Sequence, residues 1–346
     1  MATKTLTIAL LLDSRNYGGI ETHVVNLARG LHKSGHNVQI ILLNNYGKHP
    51  VFESDKFLRS ILVKLDGNPA TLYKLIKYSA INLVHTHGYK AGIIGRLTGK
   101  LANKAVVSTF HSGEKGSIKI RLYRWLDRMT AHYSPCICVS KQIKKSANLT
   151  AEVIENFVEL PEKTLTETTL ASQIAFVGRL SYEKGPDLFL RLAEQLPQYQ
   201  FSIYGNGPML KEISMAATNN VMLMGHVNSM QQHWCKINLL CITSREEGLP
   251  LVALEALVRG IPVISYDIGG ISAVVINNIN GWLIPPLNEV AFIDAVKQGQ
   301  MLSSEQRKKM SWSAYQHIKN NFSSHAIIPQ IFKVYRKALI GGSHEH

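Results

Sequence analysis

Nowhere in the 346 residues does an uninterrupted apolar run approach the ~20 residues of a membrane-spanning helix. Cysteine is scarce: Cys136, Cys138, Cys235 and Cys241 have neither the spacing of a zinc site nor that of a disulfide framework, and reduced thiols in a cytosolic setting account for them. No internal repeat, low-complexity tract or nucleic-acid-binding motif occurs. The first glycine turn, Asn16-Tyr17-Gly18-Gly19, is not G-x-G-x-x-G, and no acidic residue closes the strand that follows, which argues against a dinucleotide dehydrogenase. Lys4 followed by Leu6 to Leu12 imitates a secretory signal, but Asp13 and Arg15 follow at once without a small-residue cleavage site, so the stretch reads as a buried strand.

What is present is the composition of a globular protein, 45% hydrophobic and 18% charged, long enough for two domains with separate cores. The net charge of +14 is unevenly placed. Residues 1–165 hold 23 Lys/Arg against 11 Asp/Glu, whereas residues 166–346 hold 15 against 13. The first half is therefore the one drawn to an anionic partner, be it nucleic acid, a phospholipid surface or an acidic substrate.

Strands and helices alternate. Leu6–Leu12, Val38–Leu43, Leu83–Thr86, Val106–Phe110 and Pro135–Ser140 read as strands, with helical periodicity over Glu21–His32, Leu72–Tyr78 and Ala91–Ala102. A polar stretch over 159–172 reads as a linker. Strands resume at Ile174–Val177, Phe201–Tyr204, Val221–Val227, Ile237–Ile242 and Val263–Tyr266, and Ser323–Ile340 reads as a final helix. Strands separated by helices imply parallel, doubly wound sheets, whose ligands bind at the carboxyl ends of strands. His85, His87 and His111 fall at such ends; a lone histidine there is more often a structural hydrogen-bonder than a site residue.

The chain centres on Thr243–Ser265, T-S-R-E-E-G-L-P-L-V-A-L-E-A-L-V-R-G-I-P-V-I-S. Pro250 suits the first position of a helix. The positive helix end then presents the backbone amides of Gly248, Leu249, Leu251 and Val252 to phosphate oxygens. Glu247 in the turn and Glu255 eight positions on lie roughly 10 Å apart at helical rise, the span of a diphosphate between a sugar and a ribose. Arg179 and Lys184, in G-R-L-S-Y-E-K-G after a strand, are placed as two cations that could hold that diphosphate.

E-x7-E followed by Gly-Ile-Pro-Val-Ile-Ser, with G-R-L-x-x-x-K-G before it, resembles the signature of retaining glycosyltransferases of the GT-B class, family 4. The resemblance covers most of the chain, most specifically Gly178–Gly270. It implies two Rossmann-like domains facing across a cleft, 1–165 for the acceptor and 166–320 for the donor, with a last helix, 321–340, crossing back to the first. It implies a nucleotide-diphosphate sugar donor, expected to be a UDP-sugar, and a glycan or glycolipid acceptor in polysaccharide or lipopolysaccharide synthesis.

The same resemblance assigns Arg179 and Lys184 to the leaving diphosphate, Glu247 and Glu255 to the hydroxyls at its two ends, and His111 to the transferred sugar. Gly18 and Gly19 would let the backbone approach the donor, Gly205 and Asn206 would lie near the nucleoside, and the base would rest near Val227. The chain departs from the family's usual Pro-Asn-Gly at Glu155-Asn156-Phe157. It contains no Asp-x-Asp pair, so neither metal nor cofactor is expected. Retention without an obvious nucleophile suits same-face displacement, with double displacement open. A nucleotide-sugar epimerase and a non-enzymatic anion- or nucleic-acid-binding protein are the rival readings.

Over 116–133, Ile118, Leu122, Trp125, Leu126 and Met129 form one apolar face at helical spacing, flanked by Lys119, Arg121, Arg124 and Arg128. This suits either a helix lying on an anionic membrane, which would place the protein at the inner face of the cytoplasmic membrane, or one packed into a core with a solvated face.

Overall fold

Runs such as Thr7–Leu12 (TIALLL) carry no polar alternation, which is what a strand covered on both faces requires. A computed structural model of the protein describes residues 5–16, 18–111, 118–161, 172–227 and 229–341, with residues 118–120 described by backbone alone. Tyr17, residues 116–117 of the basic segment and most of the expected linker fall outside it.

Among the described residues two parallel sheets form. The first comprises β1 (Thr7–Leu12), β2 (Asn37–Leu42), β3 (Leu62–Lys64), β4 (Leu83–His87), β5 (Ala105–Phe110), β6 (Cys136–Cys138) and β7 (Glu152–Val153), in the order β3-β2-β1-β4-β5-β6-β7. The second comprises β8 (Gln173–Val177), β9 (Gln200–Tyr204), β10 (Val221–Gly225), β11 (Ile237–Ile242), β12 (Val263–Tyr266) and β13 (Gly281–Ile284), in the order β10-β9-β8-β11-β12-β13. Both are doubly wound, as the alternation implies. The direction of winding reverses between β1 and β4 in the first and between β8 and β11 in the second, and these reversals are where ligands of such sheets bind.

The chain divides into two compact units, Met1–Glu159 with Ser324–His346, and Leu160–Ser323. The first division falls before residue 165 because Asn156-Phe157-Val158 is built into the first unit. Phe157 is fully buried, its carbonyl accepts from the Asn26 side chain at 2.9 Å, and Lys33 pairs with Glu159. Helix Ser324–Gly341 belongs to the same unit. Gly30 on helix Gly19–Lys33 lies so near it that an added Cβ would meet Ile328 at 3.0 Å, and Tyr335 reaches His85 in the middle of β4. Ile327, Ile328, Ile331 and Val334 close this core against Val24, Leu27 and Leu31. In the second unit Phe176, Phe189, Phe201, Tyr266 and Phe292 build a core of their own.

Helix Ile118–Thr130 inverts the arrangement that a core-packed helix would have. Among its described side chains the buried one is Asp127, whose carboxylate pairs with the fully buried Arg96 of helix Tyr89–Leu101, while Leu122, Trp125 and Met129 are 58%, 55% and 56% exposed. Leu97 and Leu101 of the neighbouring helix are exposed too. No described helix is long and apolar enough to cross a membrane.

Candidate functional site

In the second unit, the loops leaving β8, β9, β11 and β12 are stitched together by backbone. Leu180 N donates to Asn206 O at 3.0 Å, Arg245 N to Glu183 O at 2.7 Å and Gly270 N to Gly248 O at 2.6 Å. Glycine is required at two of these crossings. At Gly205 (φ +150°) a Cβ would stand 1.8 Å from Gly178 O, and at Gly269 (φ +60°) 2.0 Å from Glu247 O. The glycines read from the sequence as loop signals thus fix where the loops touch.

The polar side chains converge at the β8/β11 reversal. Lys184 Nζ is 2.6 Å from Glu247 Oε1, which also accepts from Ser244 Oγ at 2.8 Å. Arg245 forks onto Asp187 at 2.9 and 2.6 Å and stacks 4.1 Å from the Tyr182 ring centre. Burial pushes the Glu183 carboxyl up, but the Ser181 hydroxyl, the backbone and nearby Arg179 and Lys184 outweigh it, and the net displacement is downward. Lys184, expected on the diphosphate, and Glu247, expected on a hydroxyl at one of its ends, here face each other. Arg179 is exposed in the same loop.

Helix Leu251–Leu257 begins one residue later than expected. Pro250, with φ −70° and ψ 118°, is its extended cap rather than its first turn. Leu251 and Val252 open the helix, preceded by Gly248 and Leu249. Glu255 is half-buried on it, and loss of hydration pushes its carboxyl up to about 7, with Arg259 opposing. Arg259 donates to the Glu255 carbonyl at 2.7 Å and so is held beside it. β10 ends at Gly225, leaving Val227 in irregular chain, and Asn206 bonds its own loop through Gly207 N at 2.7 Å.

In the first unit, His111 follows β5 and belongs to a nest of four imidazoles. His87 Nδ1 is 3.0 Å from His111 Nε2; His23, on helix Gly19–Lys33, lies 4.7 Å from the His111 ring and 5.5 Å from that of His87. His85 is satisfied on both sides, by Tyr335 OH at 2.8 Å and Thr109 Oγ1 at 2.7 Å, so its role is structural. Burial, reinforced by neighbouring imidazoles, pushes His85, His87 and His111 well below the ordinary histidine range, and burial takes His23 to about 4. All four are neutral at neutral pH. The turn with Gly18 opens helix Gly19–Lys33, with Gly18 as its extended cap and the Glu21 carboxylate folded back beside it. His23 escaped the sequence reading because its position in the helix looks like one more core site; Asn156, the residue of the family's Pro-Asn-Gly that this chain keeps, is its partner at 3.2 Å.

Two family models match the chain, one for family 4 glycosyltransferases over residues 17–160 and one for group 1 glycosyl transferases over 171–299. The chain is 29% identical over 265 residues to the Escherichia coli UDP-Gal:alpha-D-GlcNAc-diphosphoundecaprenol alpha-1,3-galactosyltransferase, covering 65% of this chain and 68% of that one. It is 25% identical over 353 residues to a Campylobacter jejuni alpha-1,4-N-acetyl-D-galactosaminyltransferase named for an undecaprenol-linked acceptor, covering 92% and 96%. Its fold superposes on the Anabaena protein HepE solved with UDP, at a TM-score of 0.77 and 17% identity, across 96% of this chain and all of that one. Two doubly wound parallel sheets, strand-end loops closed on an E-x7-E helix, and family models that between them take in most of both units assign this chain to the family 4, or group 1, glycosyltransferases of the GT-B fold.

Proposed function

We propose that the protein is a retaining, metal-independent hexosyltransferase that moves a sugar from a UDP-sugar to a hydroxyl of a polyprenyl-diphosphate-linked glycan. The observation that carries this reading is the convergence of Lys184, Arg179, Glu247 and the start of helix Leu251–Leu257 at the winding reversal of the second sheet. The diphosphate takes Lys184 from Glu247, adds Arg179 and the amides of Gly248, Leu251 and Val252, and frees the Glu247 carboxylate for sugar hydroxyls. As the glycosidic C–O bond breaks, the charge gathering on the leaving phosphate is met by cations already in place. That phosphate accepts the proton of the incoming hydroxyl on the same face of the sugar. Glu255 accepts the ribose hydroxyls, Gly205, Asn206 and Val227 flank the base, and Gly18, Gly19 and the neutral His111 serve the transferred sugar.

A lipid-linked acceptor is supported by the names of the two relatives and by the exposed apolar and basic face of helix Ile118–Thr130, which suits docking on the cytoplasmic leaflet. The family assignment leaves the epimerase and nucleic-acid readings without support. The test is a panel of nucleotide-sugars offered with a polyprenyl-diphosphate-linked sugar, scored by released nucleotide and by the anomeric coupling of the product. Release from no UDP-sugar, or a product of inverted anomeric configuration, would overturn it.

A further inference from the structure

The histidine nest of the first unit holds more ligating capacity than sugar recognition uses. His23, on helix Gly19–Lys33, His87, at the end of β4, and His111, just after β5, each offer a ring nitrogen, and the three lie within 4.8 Å of one another. Two observations beyond proximity point to a ligand. The Nε2 atoms of His23 and of His87 are both buried without a hydrogen-bond partner, a state that buried polar atoms rarely keep. The tautomer of His23 is also set. Asn156 Oδ1 can only accept, so the His23 proton sits on Nδ1 and the Nε2 lone pair is directed inward, the arrangement by which an outer carbonyl orients a metal-binding imidazole.

We propose that His23, His87 and His111 form a binding site for a borderline divalent transition ion, with Zn2+ the expected occupant, and that an ion held there inhibits transfer by engaging His111. Three imidazoles, with no carboxylate or thiolate grouped with them among the described residues, select such an ion over Mg2+ or Ca2+, which take oxygen ligands. Zinc–nitrogen bonds of about 2.0–2.1 Å need ligand nitrogens about 3.4 Å apart in a tetrahedral site. Small rotations of the three rings supply that closure, at the expense of the His87–His111 hydrogen bond. The fourth position is left to water. The site is inhibitory and so compatible with transfer that needs no metal; its inhibitory half rests on the proposed role of His111.

The full chain is titrated with Co2+, read by ligand-field absorption, and the ion is then displaced with Zn2+; zinc-edge X-ray absorption counts imidazoles on the unmodified protein. One ion per chain with about three imidazole ligands is expected. Affinity should fall by about 10–100-fold in Asn156→Ala, which alters only the outer partner, and further in His23→Gln. No absorption from the parent, or fewer than two imidazoles at the edge, overturns the site and leaves the transferase reading untouched. Unchanged affinity in both folded variants overturns it equally. Binding with undiminished transfer overturns the inhibitory half and, with it, the placement of His111 at the transferred sugar.

Discussion

Lys184 Nζ and Glu247 Oε1 stand 2.6 Å apart, and they come from loops on the two sides of the point where the second sheet reverses its winding. In the proposed mechanism each neutralises the other until a diphosphate arrives, so donor binding exchanges one ion pair for another rather than burying a bare charge. That exchange separates their roles. Lys184→Ala should lower kcat by about 10²–10³-fold with a smaller change in donor affinity, because its charge matters most as the leaving group ionises. Single-turnover rates beside donor titration calorimetry measure the split. An equal loss in both would make Lys184 a ground-state contact only.

In the proposed role at the ribose, Glu255 ties donor affinity to pH. Its carboxyl, pushed up to about 7 by burial, is largely protonated below that pH, whereas ribose hydroxyls donate best to the carboxylate. Binding therefore favours the ionised form, and UDP affinity should rise as pH increases through about 7 and level off above it. Glu255→Gln should abolish the rise and weaken binding by about 1.5–3 kcal/mol at high pH. A pH-independent parent would remove this carboxylate from the ribose.

Much of this geometry could be read from residue order, and the contacts that could not be read join residues far apart in the sequence. β11 and β12 were read to the residue because fully buried parallel strands show as uninterrupted apolar runs bounded by turns. Gly205 was legible as a site glycine, since a turn leaves its mark locally. The Lys184–Glu247 pair was not, although both residues were singled out, because 63 positions separate them and only the adjacency of β8 and β11 brings them together. The histidine nest is a stronger case. His23, His87 and His111 meet only through the order β1-β4-β5 and the helix after β1, and His85 meets Tyr335 across 250 positions. Strand β3 and helix Glu289–Met301 were not read. β3 has three residues, too few to show a period, and the helix carries apolar residues around much of its surface.

Exhaustive chelation should leave transfer undiminished, since in the proposed mechanism Arg179, Lys184 and the start of helix Leu251–Leu257 take the part that a metal plays where an Asp-x-Asp pair holds one. Initial rates before and after dialysis against a chelator, with Mg2+ or Mn2+ added back, decide it. A full loss restored by either ion would sink the proposed mechanism.

Arg96 anchors helix Ile118–Thr130 from beneath through Asp127, with Thr130 and Ser108 taking its remaining donors. Removing one partner strands a buried charge, so Arg96→Met should destabilise the protein by about 3–5 kcal/mol. The double change Arg96→Met with Asp127→Leu should cost less than the two single changes added together, because neither charge is then left alone. Denaturant titrations of the three variants give the coupling. Strict additivity would mean that the pair does not hold the helix.

With Asp127 turned inward, the side of helix Ile118–Thr130 that faces solvent carries Leu122, Trp125 and Met129, with Arg121 and Arg128 exposed beside them. A helix that buries its acid and exposes its large apolar residues is arranged for an interface, the apolar side chains among acyl chains and the cations at lipid phosphates. Each basic residue near an anionic surface contributes about 1 kcal/mol, and the attraction weakens as salt rises. The protein should therefore sediment with anionic liposomes and not with neutral ones, and Trp125 fluorescence should shift to the blue on binding. Replacing Lys119, Arg121, Arg124 and Arg128 by glutamine should abolish the lipid selectivity, and Leu122→Ser with Met129→Ser should weaken binding even at low salt. Leu122, Met129, Arg121 and Arg128 are exposed on a helix held through Asp127, so thermal unfolding of the Leu122→Ser, Met129→Ser variant should stay near that of the parent. Equal sedimentation with both lipids, or no change in either folded variant, would mean that a lipid-linked acceptor reaches the protein by another surface.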